Sequence, residues 1–114
     1  MIRYRVGNLF ESDAYALVNT VNTVGVMGKG IALQFKKLYP NNYAEYLKAC
    51  KSNEVQIGKL FSTFDHNVIS GKKLIINFPT KKHWRQPSQY DFIELGVKEL
   101  VNLISEESIP SIAI

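Results

Sequence analysis

The feature that most constrains this chain is a short apolar run that leads into a glycine-rich loop. Ala16–Val21 is almost continuously apolar, which is typical of a buried strand covered on both faces. Three glycines follow within six residues, at positions 25, 28 and 30, and Ile31–Leu38 then repeats its apolar residues at helical spacing. A strand, a glycine loop and a helix in this order predict a layered α/β fold.

The remainder of the chain alternates between further strands and helices. Strands are predicted over Ile2–Val6, Ile57–Phe64, Lys73–Phe78 and Ile112–Ile114, and helices over Tyr43–Lys51 and Gln89–Ser105. This alternation favours a mostly parallel or mixed sheet. Ligands in such folds bind beyond the carboxyl ends of the strands, and both unusual loops of this chain begin there.

Local signals set the expected ends of the helices. Pro40 should end the first helix, because proline disfavours helical geometry at the residue before it. Asn41 or Asn42 can cap the second helix, and Ser88 with Asp91 forms a variant capping box for the third. The third helix is expected to bury an apolar stripe of Ile93, Val97, Leu100, Val101 and Ile104.

The composition limits the class of protein. With 114 residues, 46% of them hydrophobic, the chain can build one core and is too apolar to be disordered. Its one cysteine, Cys50, cannot form an internal disulfide, and no Cys and His residues have zinc-ligand spacing. No apolar run approaches the roughly 20 residues that span a bilayer, and none follows the N-terminus as in a signal peptide. We therefore expect a cytoplasmic protein without a metal or cofactor.

The net charge of +4 has two interpretations. It can belong to a solvated basic surface, or it can attract an anionic partner such as a nucleic acid or a phosphorylated ligand. Basic residues are spread along the chain except for the cluster KKHWR at positions 81–85. This local cluster is a better indication of function than the total charge.

The glycine loop has the composition of a phosphate cradle. The helix that begins near Gly30 would point unpaired N–H groups and the positive end of its dipole at an anion. A plain turn between strand and helix would also explain the glycines. Asn19 and Asn22 favour a ligand site, because a buried strand rarely ends in two amides that have no hydrogen-bond partners. Both side chains could instead form hydrogen bonds with the backbone of the turn. We expect Asn22 to face a ligand and Asn19 to be structural.

The second loop concentrates cationic and aromatic side chains between a strand and a helix. Lys81 lies nearest the strand end, and a lysine beside another cation can act as base or nucleophile because its pKa falls. Lys82 is the less suitable candidate. His83 is the histidine near this site, Trp84 offers a face for stacking, and Arg85 offers a bidentate phosphate contact. A solvated basic loop around a packed tryptophan is the alternative.

Together the two segments resemble the macrodomain family. The run ALVNTVN at residues 16–22, followed by GVMGKGIA at residues 25–32, resembles its ADP-ribose-binding signature. The stretch NFPTKKHWR at residues 77–85 is similar to the branch that contains the DarG-type DNA ADP-ribosyl glycohydrolase antitoxins. The resemblance covers the whole chain. It implies a three-layer α/β/α macrodomain-like fold with a mixed sheet, which binds ADP-ribose across the carboxyl ends of its strands.

The resemblance also implies an activity and the residues that perform it. The activity is removal of ADP-ribose from thymine bases in single-stranded DNA, as an antitoxin to a DNA ADP-ribosyltransferase toxin. By position, Asn22 would contact the distal ribose, Gly28–Ile31 would hold the pyrophosphate, and Lys81 would be the catalytic lysine near the anomeric carbon. The expected ligand-binding residues are Asn22, Thr23, Gly28, Lys29, Gly30, Ile31, Thr80, His83, Trp84 and Arg85. Lys81 could attack that carbon covalently or stabilise the reacting ribose.

One feature departs from the family pattern. Macrodomains have a second glycine loop after the next core strand, and this sequence stops in that strand, at Ser111–Ile114. The resemblance therefore predicts that residues 1–114 are the N-terminal two-thirds of a single macrodomain, without the final strand, second glycine loop and last helix. We expect these residues alone to bind ADP-ribose weakly or not at all.

Other functions fit the same residues. A non-catalytic ADP-ribose-binding module would need the glycine loop but not Lys81. A glycohydrolase of protein-linked ADP-ribose is another alternative. An α/β domain whose basic loop contacts nucleic-acid phosphates is a third possibility.

Overall fold

The chain folds into one mixed sheet with three α-helices. The computed structural model describes residues 7–68, 70–82 and 89–114. A short 3-10 helix at Leu9–Glu11 is followed by β1 (Ala16–Asn22), α1 (Gly30–Leu38), α2 (Pro40–Lys51), β2 (Phe61–Asn67), β3 (Gly71–Lys81), α3 (Tyr90–Glu106) and β4 (Ile112–Ala113). The strand order is β2-β3-β1-β4; β1 runs parallel to β3 and β4, and β2 is antiparallel to β3. The predicted α/β fold with a mixed sheet is confirmed.

Helices cover both faces of the sheet, which gives the expected three layers. The core between the sheet and helices α1 and α2 includes Leu17, Val21, Phe35, Tyr46 and Ile75. The core between the sheet and α3 includes Ala16, Val18, Leu74, Ile76, Phe78 and Leu100. Because successive residues of a strand point to opposite faces, β1 and β3 need apolar residues at almost every position.

Two strands differ in length from their predictions. The segment from Ile57 was expected to be extended, but residues 56–59 form a turn closed by a bridge between Gln56 and Lys59, and β2 begins at Phe61. The third strand is longer than Lys73–Phe78, because β3 continues through Pro79 to Lys81. The predicted strand at Ile2–Val6 lies outside the described residues.

The junction between α1 and α2 also differs from the prediction. Tyr39 alone joins the two helices, and Pro40 is the first residue of α2, where its missing N–H costs nothing. Asn41 and Asn42 are therefore inside the helix and do not cap it. The cap comes from Asp65 of β2, whose carboxylate accepts hydrogen bonds from the Asn42 N–H (2.9 Å) and from Asn41 Nδ2 (3.2 Å). A carboxylate at this end also complements the helix dipole.

Helix α3 buries only part of the predicted stripe. Three members of that stripe are between 39% and 60% exposed: Ile93, Val97 and Val101. Leu100 of the predicted stripe is buried together with Gly96, and Ile104 of the stripe packs beside them with Leu103. Ser88 of the predicted capping box lies outside the described residues. Neither α3 nor any other helix in the described part of the chain is long and apolar enough to cross a membrane.

Candidate functional site

The two segments singled out in the sequence meet at one edge of the sheet. Because β1 and β3 are parallel, their carboxyl ends lie together, and Asn22 is the cross-strand partner of Lys81. One residue further on, Thr23 Oγ1 donates a 2.8 Å hydrogen bond to the backbone carbonyl of Lys82. The structure thus joins the glycine loop to the lysine segment. His83, Trp84 and Arg85 lie outside the described residues, and their roles stay predictions.

Asn22 determines the shape of the glycine loop. Its Oδ1 accepts hydrogen bonds from the N–H groups of Val24 (3.1 Å), Gly25 (3.1 Å) and Val26 (3.2 Å). Its Nδ2 donates to the carbonyl of Val26 at 2.7 Å, and the residue is only 5% exposed. The amide expected to face a ligand is therefore engaged by the loop itself, and its contact with a ribose stays a prediction.

Two tyrosines of α2 form hydrogen bonds with this loop. The hydroxyl of the fully buried Tyr46 lies 2.8 Å from the carbonyl oxygen of Asn22 and 3.0 Å from its Oδ1. Tyr43 donates to the carbonyl of Gly25 at 3.3 Å. In the sequence, Tyr43 and Tyr46 stand at the spacing of core residues, and this pattern alone predicts no functional role for them. The signal it missed is their chemistry, because a buried tyrosine needs a hydrogen-bond partner and a phenylalanine does not.

Glycine is required at two positions of the loop. Gly25 has a φ of +90°, and a Cβ added to it would lie 2.7 Å from Cδ1 of Leu47 on α2. Gly30, the first residue of α1, has a φ of +55°. Both conformations are strained for a residue with a side chain. The short distance from Gly25 to Leu47 also shows that helix α2 packs directly against the loop.

The N-terminus of α1 is the open part of the site. Gly28, Lys29, Gly30 and Ile31 are all exposed. Within this described segment, Lys29 is extended and does not cap the helix with its side chain, and the first turn contains no acidic residue. The N–H groups of this turn and the positive end of the helix dipole therefore face outward, an arrangement that suits an anion.

A network of buried amides lies beneath the site. Asn42 and Asn77 exchange hydrogen bonds between their side chains, at 2.8 and 3.2 Å, and Thr63 donates to Asn42 Oδ1 at 2.7 Å. Asn19 is fully buried, with its Nδ2 3.5 Å from Asn77 Oδ1 and 3.8 Å from the sulfur of Met27 in the glycine loop. This burial agrees with the structural role predicted for Asn19. The network connects the loop through β1 and β3 to α2.

The burial of Tyr46 and Cys50 should make the protein less stable at alkaline pH. It raises the pKa of the Cys50 thiol above its ordinary value of 9.0 and that of the Tyr46 hydroxyl above 10.0. Unfolding lets both groups ionise, so their contribution is complete below about pH 9 and is lost as the pH rises further. We expect the free energy of unfolding to fall by up to about 1.4 kcal/mol per pH unit for each group. Urea unfolding across this pH range measures the slope.

The matched control for that slope is a Cys50→Ala, Tyr46→Phe variant. Its free energy of unfolding should depend less steeply on pH in the same range. An unchanged slope would show that other groups cause the alkaline effect.

The chain is similar in sequence to DNA ADP-ribosyl glycohydrolases and in structure to a DarG macrodomain. A DNA ADP-ribosyl glycohydrolase of Thermus aquaticus is 54% identical over 114 residues, all of this chain and 31% of that relative. The macrodomain of Mycobacterium tuberculosis DarG superimposes with a TM-score of 0.92 at 54% identity, covering 98% of this chain and 73% of that one.

Thermosipho africanus provides a more distant relative. Its DNA ADP-ribosyl transferase–DNA ADP-ribosyl glycohydrolase fusion protein is 36% identical over 122 residues, covering 95% of this chain and 31% of the fusion. The solved structure of Thermosipho africanus DarTG in complex with ADP-ribose has a TM-score of 0.83 at 34% identity, over 93% of this chain and 30% of that one.

The family follows from the fold and from the length of the match. The Macro domain family model matches residues 18–114, which include both segments of the site. The similarity to the DarG macrodomain confirms the fold and the branch that the sequence resembles. The chain spans 31% of the length of the Thermus relative. The chain belongs to the macrodomain family.

Proposed function

We propose that the protein containing this chain is a DNA ADP-ribosyl glycohydrolase. It would remove ADP-ribose from thymine bases in single-stranded DNA and act as an antitoxin to a DNA ADP-ribosyltransferase toxin. The observation that carries the proposal is the 54% identity, over the whole chain, to the DNA ADP-ribosyl glycohydrolase of Thermus aquaticus. The fusion protein of Thermosipho africanus, which joins a transferase to a glycohydrolase, supports a toxin partner. We also propose a cytoplasmic location, consistent with the single free thiol of Cys50.

The glycine loop and α1 would bind the pyrophosphate of ADP-ribose. The exposed backbone from Gly28 to Ile31 lies at the positive end of the helix, where N–H groups and the dipole stabilise phosphate oxygens. Lys29 would add a positive charge beside them. Asn22 would place the loop against the distal ribose, because its own hydrogen bonds set the path of residues 24–26.

Lys81 would act on the anomeric carbon of that ribose. Hydrolysis breaks the bond between this carbon and the base, joins the oxygen of water to the carbon, and returns a proton to the base. A neutral Lys81 amine can displace the base from this carbon first, with the base taking up the proton that the amine loses. Water can then displace the amine, give it back a proton and leave free ADP-ribose. A charged Lys81 can instead stabilise the reacting ribose by its position. Both routes require Lys81 at the end of β3 beside Asn22, where the strands bring these residues together.

Replacing Lys81 by alanine should abolish the release of ADP-ribose from a modified single-stranded DNA oligonucleotide. We expect the rate of the full-length protein to fall at least about 100-fold, the usual contribution of a positioned catalytic group. ADP-ribose affinity should be retained, because the loop and the α1 N-terminus do not change. Release is followed by separating the modified and unmodified oligonucleotides, and affinity by calorimetric titration.

The matched control is Lys82→Ala, which removes the neighbouring exposed lysine whose Nζ lies 5.6 Å from the ring centre of Phe92. Its release rate should stay near that of the unaltered protein. Equal rates for the Lys81 variant and the unaltered protein would contradict a catalytic role for Lys81. Binding of ADP-ribose without any release would favour the non-catalytic module, and release from protein but not from DNA would favour the other glycohydrolase.

A further inference from the structure

The positive charge of the chain is concentrated in one segment. Residues 29–51, which include α1 and α2, contain five lysines and one acidic residue, Glu45. Their formal charge is therefore +4. The rest of the sequence contains nine basic and nine acidic residues, which cancel each other. The two helices and Lys29 thus account for the whole net charge of the chain.

The helix on the other side of the sheet has the opposite charge. Helices α1 and α2 pack on one face of the sheet, and α3 packs on the other. The charged residues of α3 are four acidic side chains and one lysine, all of them exposed: Asp91, Glu94, Lys98, Glu99 and Glu106. The folded chain is therefore polarised across the sheet. A polyanion is attracted to the side of α1 and α2 and repelled from α3.

The five lysines of the basic segment are free to meet such a partner. They are spaced along the sequence, and the fold brings them to one side of the sheet, where all are exposed: Lys29, Lys36, Lys37, Lys48 and Lys51. Lys48 Nζ lies 3.7 Å from a carboxylate oxygen of Glu45. Within the described residues, the other four lysines form no ion pair. We call the exposed surface of residues 29–51 the α1–α2 face.

Helix stability alone does not explain this excess of lysine. Four of the five lysines lie in the last turns of α1 and α2, where a cation complements the helix dipole. The same effect would favour acidic residues in the first turns. Neither of these two helices has an acidic residue in its first turn. The α1–α2 face is therefore far more basic than dipole complementarity requires.

The α1–α2 face is continuous with the candidate site. Lys29 directly precedes α1, whose open N-terminus suits an anion. Near the other end of α1, Lys36 Nζ lies 4.7 Å from the ring centre of Tyr43. The hydroxyl of Tyr43 in turn donates to the carbonyl of Gly25 in the glycine loop. Positive side chains thus extend from the site along both helices.

We propose that the α1–α2 face binds the phosphates of the single-stranded DNA that flanks the modified base. This inference rests on the proposed function, which supplies the polyanion. A modified base at Lys81 is joined to its neighbours in the strand, so their phosphates must pass over a surface beside the site. The α1–α2 face attracts them and α3 repels them. Contacts of this kind position a strand without reading its sequence.

The test is a triple variant, Lys36→Gln, Lys37→Gln and Lys51→Gln, which keeps Lys29 and the Lys48–Glu45 pair. Glutamine is about as good a helix former as lysine, so the helices should be retained. Fluorescence anisotropy gives the affinity of the full-length protein for an unmodified single-stranded oligonucleotide at several salt concentrations. We expect the slope of log affinity against log salt to become shallower by about 2, because each lost phosphate contact removes about 0.7. Affinity at low salt should fall at least about tenfold.

The matched control changes the same amount of charge elsewhere. Lys59→Gln, Lys72→Gln and Lys98→Gln alter three exposed lysines outside the α1–α2 face. This variant should bind the oligonucleotide almost as the unaltered protein does, with the same salt slope. Equal losses in the two triple variants would show that total charge, and not this face, binds DNA, and would overturn the inference.

Release of ADP-ribose provides a second readout. The Lys36, Lys37, Lys51 variant should show a raised KM for the modified oligonucleotide, with kcat and ADP-ribose affinity unchanged. Its KM for ADP-ribosylated thymidine should not change, because this nucleoside has no flanking phosphates. An equal rise of KM for both substrates would mean that these lysines act on the ADP-ribose part, and would contradict binding of the flanking strand.

The outcomes separate this inference from the proposed function. If the unaltered protein does not bind the unmodified oligonucleotide at low salt, the inference is wrong. Tighter binding of poly-L-glutamate than of DNA, lost in the same variant, would assign the face to an acidic protein and overturn it as well. A full-length protein that binds DNA through this face but releases no ADP-ribose from it would instead contradict the proposed function.

Discussion

Replacing Asn77 by leucine should lower the free energy of unfolding by about 3–5 kcal/mol, because each buried polar group left unpaired costs about 1–3 kcal/mol. Asn77 Nδ2 donates to Asn42 Oδ1 and to the carbonyl of Phe61, and Asn77 Oδ1 accepts from Asn42 and Asn19. Leucine has a similar volume but supplies none of these bonds. Urea unfolding followed by circular dichroism gives the change.

Two further variants show whether unpaired amides cause this loss. Asn102→Leu changes an exposed asparagine of α3 in the same way and should alter stability by less than about 0.5 kcal/mol. The double variant Asn42→Leu, Asn77→Leu should lose less than the sum of the single changes, because neither amide is then left without the other. Additive losses would mean that the Asn42–Asn77 pair contributes little.

Replacing Gly96 by alanine should destabilise the protein by about 1–3 kcal/mol, although the same change inside an ordinary helix is favourable by about 1 kcal/mol. The added Cβ would lie 2.3 Å from Cζ and 2.5 Å from Cε1 of Phe78, and this ring is only 5% exposed. The ring must move within a packed core, or α3 must move away from the sheet. The sign of the change therefore distinguishes core packing from helix propensity.

Ser105→Ala, at an exposed position of the same helix, is the control for propensity and should be neutral or slightly stabilising. Adding Phe78→Leu to the Gly96 variant should recover part of its loss, since the smaller side chain leaves room for the methyl group. A Gly96 variant that is more stable than the unaltered chain would contradict the close packing of α3 on β3.

Local patterns were sufficient to predict the parts of the fold that depend on near neighbours in sequence. The apolar run of β1 and the helical spacing of α1 locate both elements, because burial on two faces or on one face leaves different periodicities. The meeting of Asn22 with Lys81 follows from the same reasoning, since parallel strands end at a common edge. A resemblance in both segments then supplied the family and its ligand.

Features that depend on distant residues could not be predicted in this way. Asparagine is a common helix cap, and Asn42 precedes a predicted helix. In the structure it is a core residue, because its side chain accepts hydrogen bonds from Asn77 and Thr63. The actual cap, Asp65, comes from a strand that follows later in the chain. Gly96 lies on the buried face of α3 because the ring of Phe78 fills the space that a side chain at position 96 would need. Sequence spacing alone contains none of these pairings.

The hydrogen bonds of Asn22 also bear on how fast a ligand can associate. The loop is held by one internal amide and two tyrosine hydroxyls, so the entropy of ordering residues 22–26 is lost during folding and not during binding. No closing step at this loop has to precede the encounter. Association there should be limited by diffusion and orientation, and differences in affinity between ligands should arise mainly from their rates of dissociation.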